Sequence, residues 1–360
     1  MTAQDLPAEI LTYIFSYVYP HSQIATCRLI CKNWDKPAET ALLGTHFYLD
    51  LDAPTAEKYY AFLSKDPARG QLVRGLTYSA IEGDKKKREL VKKVVRLIFT
   101  PHLEALGGFS LNAADDFVFE YMNEISHTHR ARYTKLQWIP SRSPINDLYI
   151  QTLLNFKHTL ASLSIKEQPG SGYLINRLDQ FTNLTNFTYM GNLIDLSHLE
   201  FILRKCPKLE SLTLRIHQYS TGEMRYVLFE DEILKWAKAN DNVVINNQLK
   251  TLELAGDGGC SPELWDYLAY KYPKLEKVTI VPTDIFDEDG YMFQYQDETW
   301  LDYERMKEAF KNIPTYMIEF EIESEFEEED LYMALKRPNN KVFFDLDEEE
   351  DANRVIVTLR

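Results

Sequence analysis

Cys27 and Cys31 stand four residues apart, and His127 and His129 form an H-x-H; these are the pairs in the chain that invite a metal reading. A structural zinc takes four nitrogen or sulfur ligands, usually from two such pairs brought together. No second Cys or His pair at zinc spacing lies near either one, so the cysteines read as buried thiols and no metal is expected. Gly256-Asp257-Gly258-Gly259 is glycine-rich but lacks the lysine and hydroxyl of a phosphate loop, and reads as a turn after a strand. A dinucleotide fingerprint and a nucleophile elbow are likewise missing from the sequence. With no nucleophile, base and acid to assemble, the expected chemistry is non-covalent recognition. The chain reads as a non-enzyme without a cofactor.

The bulk composition narrows the partner. The chain has 360 residues and a net charge of −15, which repels nucleic acid and anionic membrane alike. With 45% apolar residues it can build a sizeable core. Four cysteines, Cys27, Cys31, Cys206 and Cys260, are too few and scattered for a disulfide framework. A reducing compartment, cytoplasmic or nuclear, is expected. No signal peptide is evident, and no run of apolar residues is long enough for a membrane span. The basic run Lys85-Lys86-Lys87-Arg88 reads as the solvated face of a helix rather than a nuclear address.

The elements that would do the recognising begin at the N-terminus. Asp5-Leu6-Pro7 reads as a helix start, with proline at the first helical position. Leu6, Ile10, Ile14 and Val18 share one stripe, widened by Leu11 and Phe15. Pro20 ends this helix, and Ser22 is placed to cap a short second one over QIATCRLI. A third begins near CKNWDKPAETALL, with Trp34, Ala38, Ala41 and Leu42 at helical spacing. Three short helices are near the lower limit for independent folding and call for a partner or for the rest of the chain.

LPAEILTYIFSYV followed by QIATCRLICKNWDKPAE resembles an F-box, over residues 4–44. The family's Leu-Pro-x-Glu-Ile/Leu-Leu, Ile-Phe and apolar-Cys-Lys/Arg-x-Trp elements are matched by Leu6, Pro7, Glu9, Ile10, Leu11, Ile14, Phe15, Ile30, Cys31, Lys32 and Trp34. The chain departs at HSQI, where the family's second helix usually opens with an acidic residue and leucine. The resemblance implies docking on a Skp-type adaptor and, through it, on a cullin–RING ubiquitin ligase. In that role Leu6, Pro7, Ile10, Leu11, Ile14, Phe15 and Ile30 would meet the adaptor, and Trp34 would anchor the third helix. The alternative is that these residues pack among themselves or against residues 47–63.

Downstream, an apolar-x-x-apolar-x-apolar pattern recurs. The clearest copies are LASLSI (160–165), LESLTL (209–214), LKTLEL (249–254) and LEKVTI (275–280). Weaker copies start at residues 73, 133, 184 and 317, and LEALGGF at 103–109 is degenerate. Helical patterns fill the gaps at 84–99, 196–206, 261–272 and 300–313, several closed by a proline just before the next copy. CPKLESLTL resembles the cysteine-containing leucine-rich repeats that often follow an F-box. The expected fold is therefore α/β: a three-helix F-box over 1–45, then a curved leucine-rich-repeat solenoid over 46–325, with parallel strands inside and helices outside.

Insertions at about 215–248 and 281–299 carry Tyr219, Tyr226, Phe286, Tyr291, Phe293 and Tyr295 beside acids, a make-up suited to a target protein, unless the rings cover the solenoid's own edge. Residues 319–351 hold fourteen acids against Lys336, Arg337 and Lys341, so 326–360 reads as an acidic cap. These features point to a substrate-recognition subunit of an SCF-type ubiquitin ligase that delivers an unidentified protein for ubiquitination and proteasomal degradation. A non-degradative repeat scaffold is the alternative.

Overall fold

The computed structural model describes residues 6–51, 54–79, 85–108, 116–129, 132–191, 196–216, 230–239, 243–257, 262–283, 309–310, 315–322, 340–345 and 353–359. The chain is mixed α/β and divides into two compact units, 1–163 with 180–183, and 164–179 with 184–360.

The first unit opens with α1 (Ala8–Phe15), α2 (His21–Cys27) and α3 (Lys32–Gly44). Pro7 sits one position earlier than its expected place: it is the N-cap of α1, and its carbonyl accepts the Leu11 N–H at 3.0 Å. Ser22 does not cap α2; Pro20 holds that position and Ser22 lies inside the helix. Leu11, Phe15, Ile24, Ala38 and Ala41 make the core of the three helices, with Leu6, Val18, Cys27, Trp34 and Leu42 packed around it. The Phe15 and Trp34 rings meet edge to face at 5.3 Å, so Trp34 ties α3 to α1. Cys27 and Cys31 are half-buried free thiols rather than fully buried ones.

Next comes a three-stranded parallel sheet, β1 (His46–Leu49), β2 (Gly75–Tyr78) and β3 (Ala105–Gly108), in that order. Between its strands lie α4 (Thr55–Lys65) with a 3-10 turn over Pro67–Leu72, and then α5 (Lys85–Ile98). α5 buries Val91, Val94, Val95 and Ile98 at helical spacing. α6 (Asp116–His129) and α7 (Asp147–Phe156) complete the unit. Asp116 accepts from Arg142 Nε at 2.6 Å and from Asn146 Nδ2 at 3.2 Å, while Asn146 Oδ1 caps α7 through the Tyr149 N–H.

In the second unit eight strands form one sheet: β4 (Ser162–Lys166), β5 (Asn186–Gly191), β6 (Ser211–Ile216), β7 (Thr251–Asp257), β8 (Lys277–Thr283), β9 (Thr315–Ile322), β10 (Asn340–Asp345) and β11 (Asn353–Leu359). From β5 to β9 successive strands pair in parallel and in chain order. β11 then pairs antiparallel with β9 on one side and β10 on the other. The helices are α8 (Ser171–Ile175), α9 (Leu196–Leu203), α10 (Glu230–Ala239) and α11 (Pro262–Lys271).

Both units share one local device. Among the described residues, six carbonyls just ahead of a strand or bridge each accept two successive N–H groups from the next copy of the sequence pattern. Arg74 receives Glu104 and Ala105, Glu104 receives Gln137 and Trp138, and Gln137 receives Ala161 and Ser162. Likewise Thr185 receives Glu210 and Ser211, Glu210 receives Lys250 and Thr251, and Lys250 receives Glu276 and Lys277. The three apolar positions of the pattern are buried in the copies starting at 73, 160, 184, 209, 249 and 275. A proline turn sets up the strand three times over. In Thr100-Pro101-His102-Leu103, Cys206-Pro207-Lys208-Leu209 and Tyr272-Pro273-Lys274-Leu275, the leucine N–H bonds back to the residue before proline. Proline at the second position of a four-residue turn pre-sets the φ that this bend needs.

The copy expected at 133–138 is displaced by three residues. Leu136 takes the first apolar position and Ile139 the second, because Gln137 and Trp138 make the ladder bonds that Glu104 and Ala105 make one copy earlier. Pro140 comes at once and cannot donate to a ladder, so the strand shrinks to a single bridge between Ala105 and Trp138.

Candidate functional site

The first helix carries large apolar side chains on two faces, and only one of them is used by its own fold. Leu11 (2% exposed) and Phe15 (3%) point into the three-helix core. Ile10 (46% exposed) and Ile14 (44%) point away from it, together with Tyr13 and Tyr17. Residues 10, 13 and 14 share one stripe of α1, and Tyr17 extends it in the turn that follows the helix. The Tyr13 and Tyr17 rings pack edge to face at 5.0 Å with their hydroxyls 3.0 Å apart, and that hydrogen bond raises the Tyr17 hydroxyl above the usual tyrosine value. At the α2–α3 connection Leu29 and Ile30 are also exposed. Contiguous apolar surface of this kind is uncommon unless something covers it.

The expected adaptor-facing residues thus separate into two groups. Pro7, Ile10, Ile14 and Ile30 are exposed, whereas Leu11 and Phe15 are inside and Leu6 and Trp34 are half-buried against the same core. The stripe assumed from sequence, 6–10–14–18, mixes the two faces. Tyr13, Tyr17 and Leu29 join the exposed set without having been expected there, although their spacing with Ile10, Ile14 and Ile30 is legible in the sequence.

One buried carboxylate fixes these helices to the 3-10 turn after α4. Glu39, 4% exposed, accepts from Lys36 Nζ at 2.8 Å, Arg69 Nε at 2.9 Å and Arg28 Nη2 at 3.1 Å. Burial alone would raise its pKa, but the Lys36 hydrogen bond and the charges of Lys36, Arg69 and Arg28 outweigh that and hold it below the usual glutamate value. Arg69 also donates to the Phe62 carbonyl at 2.8 Å and lies 4.0 Å over the Phe62 ring. The outer helix face is therefore carried on α4 and the 3-10 turn rather than left to swing.

A second exposed surface lies on the strand face of the first unit. His46 stacks on Trp138 at 6.0 Å, bonds Thr77 Oγ1 through Nε2 at 2.8 Å, and has Tyr48 exposed on the same strand. A Cβ at Gly75 would run into the His46 ring and one at Gly107 into Thr77 and Trp138, so glycine makes room for both rings.

In the second unit Lys271, itself buried, donates to both Glu200 oxygens at 2.9 and 2.7 Å and to the Val244 carbonyl at 3.0 Å. The Tyr267 hydroxyl donates to the same carboxylate. Desolvation lowers the Lys271 pKa against the opposing pull of Glu200. Burial pushes the Cys206 thiol up to about 12, which leaves it a poor nucleophile.

The six aromatic target candidates, Tyr219, Tyr226, Phe286, Tyr291, Phe293 and Tyr295, lie outside the described residues, as does most of the helix expected at 300–313. Among the described residues no group of three or more His, Cys, Asp or Glu could hold a metal, and no helix is long and apolar enough to cross a membrane.

No curated protein matches the chain. The family model described as F-box-like matches residues 3–50, which span α1, α2, α3 and β1. The helices that carry the exposed apolar face are an F-box-like domain.

Proposed function

We propose that this chain is the substrate-recognition subunit of an SCF-type ubiquitin ligase. Its F-box-like helices dock on a Skp-type adaptor, and the downstream repeats receive the protein to be ubiquitinated. The observation that carries the reading is the outer face of α1, where Ile10, Tyr13 and Ile14, with Tyr17 in the turn after it, stand exposed on a domain whose core is formed without them. Pro7, Leu29 and Ile30 extend the adaptor-facing set; Leu6 and Trp34 support it from behind, and Leu11 and Phe15 act through the core. Large apolar and aromatic side chains clustered in this way are the usual anchors of a protein interface.

The repeats are of leucine-rich type on the same argument. The chain-order parallel pairing, the doubled hydrogen bond at each carbonyl and the recurring proline turn repeat with the sequence pattern. Each copy buries its apolar positions against its neighbours and cannot do so alone. The chain performs no chemistry in this role; it raises the local concentration of target lysines near the conjugating enzyme. Tyr219, Tyr226, Phe286, Tyr291, Phe293 and Tyr295 remain the proposed target contacts.

The test is capture of the full chain by an immobilised Skp-type adaptor, comparing wild type with Ile10→Asp/Ile14→Asp, and probing the wild-type eluate for cullin. Capture of wild type with cullin, lost in the variant, supports the reading. Capture without cullin would favour a scaffold that borrows the adaptor, and no capture of wild type would remove the adaptor from the proposal altogether.

A further inference from the structure

The outward strand face of the first unit is shaped in a way that its own core does not require. In the parallel register His46, Gly75 and Ala105 lie side by side, as do Tyr48, Thr77 and Gly107, and Trp138 continues the first row through its bridge to Ala105. Leu49, Leu76, Tyr78 and Leu106, at alternate positions, are fully buried, so these two rows form the outward face. The backbones put His46 and Trp138 three strand spacings apart, about 14 Å. Their ring centroids are nevertheless 6.0 Å apart, with planes 26° from parallel. The rings meet because each leans over a glycine, His46 over Gly75 and Trp138 over Gly107, with Thr77 between them. Trp138 and Tyr48 are left 38% and 52% exposed. Aromatic surface gathered in this way is uncommon unless something covers it.

The face is also uncharged. None of its strand positions is Asp, Glu, Lys or Arg, and burial holds His46 below its usual pKa, which keeps the ring neutral. Arg74 and Glu104, of opposite sign, stand just ahead of β2 and β3, and Asp50 follows β1. His46 Nε2 and Thr77 Oγ1 satisfy each other at 2.8 Å. The Trp138 indole N–H, by contrast, has no acceptor among the described residues.

We infer that this face is a docking site for a proline-rich segment of a partner protein, held in the polyproline II conformation. The two are complementary in charge and in hydrogen bonding. Such a segment is uncharged, makes no internal hydrogen bonds, and carries carbonyls without the matching N–H groups at its prolines. It therefore calls for donors and flat ring faces. Trp138 supplies the donor, and Trp138, His46 and Tyr48 supply the rings. With the width of its rings the platform covers one turn of this helix, about 9 Å. An acidic or basic segment finds no opposite charge on the face, and a nucleic acid finds no cation for its phosphates. A sugar, whose hydroxyls donate as well as accept, finds no carboxylate or amide side chain there. The inference uses neither the F-box-like helices nor a ligase, and it stands whether or not the adaptor binds.

The experiment is fluorescence anisotropy of a labelled octaproline peptide titrated with the full chain. His46→Ala and Trp138→Ala are run beside wild type, and circular dichroism checks the fold of each. The expected result is saturable binding that salt hardly changes, weakened several-fold in His46→Ala and at least roughly tenfold in Trp138→Ala. A glycine–serine peptide of the same length should not bind. In isotope-labelled wild type the Trp138 indole N–H resonance, identified by its loss in Trp138→Phe, should shift as octaproline is added. That readout decides the matter even where an alanine variant fails to fold. The inference is overturned if wild type does not bind octaproline, if the glycine–serine peptide binds as well, or if folded Trp138→Ala binds octaproline as tightly as wild type. It is equally overturned if the Trp138 indole resonance does not move, or if an oligoarginine peptide, a thymidylate oligonucleotide or cellohexaose binds more tightly and moves it instead.

Discussion

Arg69 reaches back thirty residues to place its Nε 2.9 Å from Glu39 Oε1. Glu39 sits on the third helix of the F-box-like domain and Arg69 on the 3-10 turn that follows α4, so the pair joins the two. Glu39→Ala should lower stability by about 2–3 kcal/mol, less than the loss of a fully buried partner because both arginines retain some exposure. Thermal unfolding reads it. The sign with pH comes from the lowered pKa: the ionised form is favoured in the folded state. Its contribution is complete above the usual glutamate value and disappears as pH falls through the lowered one. Wild type should therefore lose stability below about pH 4 more steeply than Glu39→Gln.

The two faces of α1 should respond differently to substitution. Leu11→Ala removes a side chain from a small closed core and should cost about 3 kcal/mol, enough to unfold the three helices. Ile10→Asp and Ile14→Asp alter exposed positions and should change stability by less than about 1 kcal/mol while abolishing adaptor capture. Melting curves measured beside the pull-down distinguish a lost interface from a lost fold.

That split marks the limit of what the sequence shows. Periodicity finds all three N-terminal helices and places their starts within about two residues, because Pro7, Pro20 and the apolar spacing act locally; the first two end at Phe15 and Cys27, three residues or more before their expected ends. It cannot say which face of α1 turns inward, since both faces are apolar and the choice is made by Ile24, Ala38 and Ala41 on other helices. Most strands are legible for the same local reason: leucines two and three apart, after a proline turn. The copy at 133–138 is not, because Tyr133, Leu136 and Trp138 fit the pattern as well as the pair actually used, Leu136 and Ile139; the ladder settles the register. Glu39 with Arg69, and Glu200 with Lys271, are pairs between distant residues, and nothing in local spacing announces them.

Two glycines of the first unit should behave oppositely when a methyl group is added. A Cβ at Gly70 would be driven into the Leu97 carbonyl of α5, so Gly70→Ala should cost about 2 kcal/mol or more. At Gly44 a Cβ meets nothing within 4 Å, so Gly44→Ala should be neutral or stabilise by up to about 0.5 kcal/mol. Denaturant midpoints of the two variants check both signs.

The buried Lys271–Glu200 pair should show strong non-additivity. Glu200→Ala leaves an ammonium group inside the second unit and should cost about 3–5 kcal/mol. Glu200→Gln/Lys271→Met removes both charges while keeping an acceptor for the Tyr267 hydroxyl, and should be the more stable of the two. Equilibrium unfolding of both variants beside wild type measures the difference.

The order β9, β11, β10 at one end of the larger sheet has a consequence for how the chain is made. Each strand from β5 to β9 finds a neighbour already synthesised when it emerges. β10 does not: the strand it pairs with, residues 353–359, is translated after it. A released chain that ends anywhere between 346 and 352 would carry β10 without the strand it pairs with, an open template for another copy. A frameshift or stop codon in that short stretch should therefore be more harmful, through aggregation, than one that removes β10 as well.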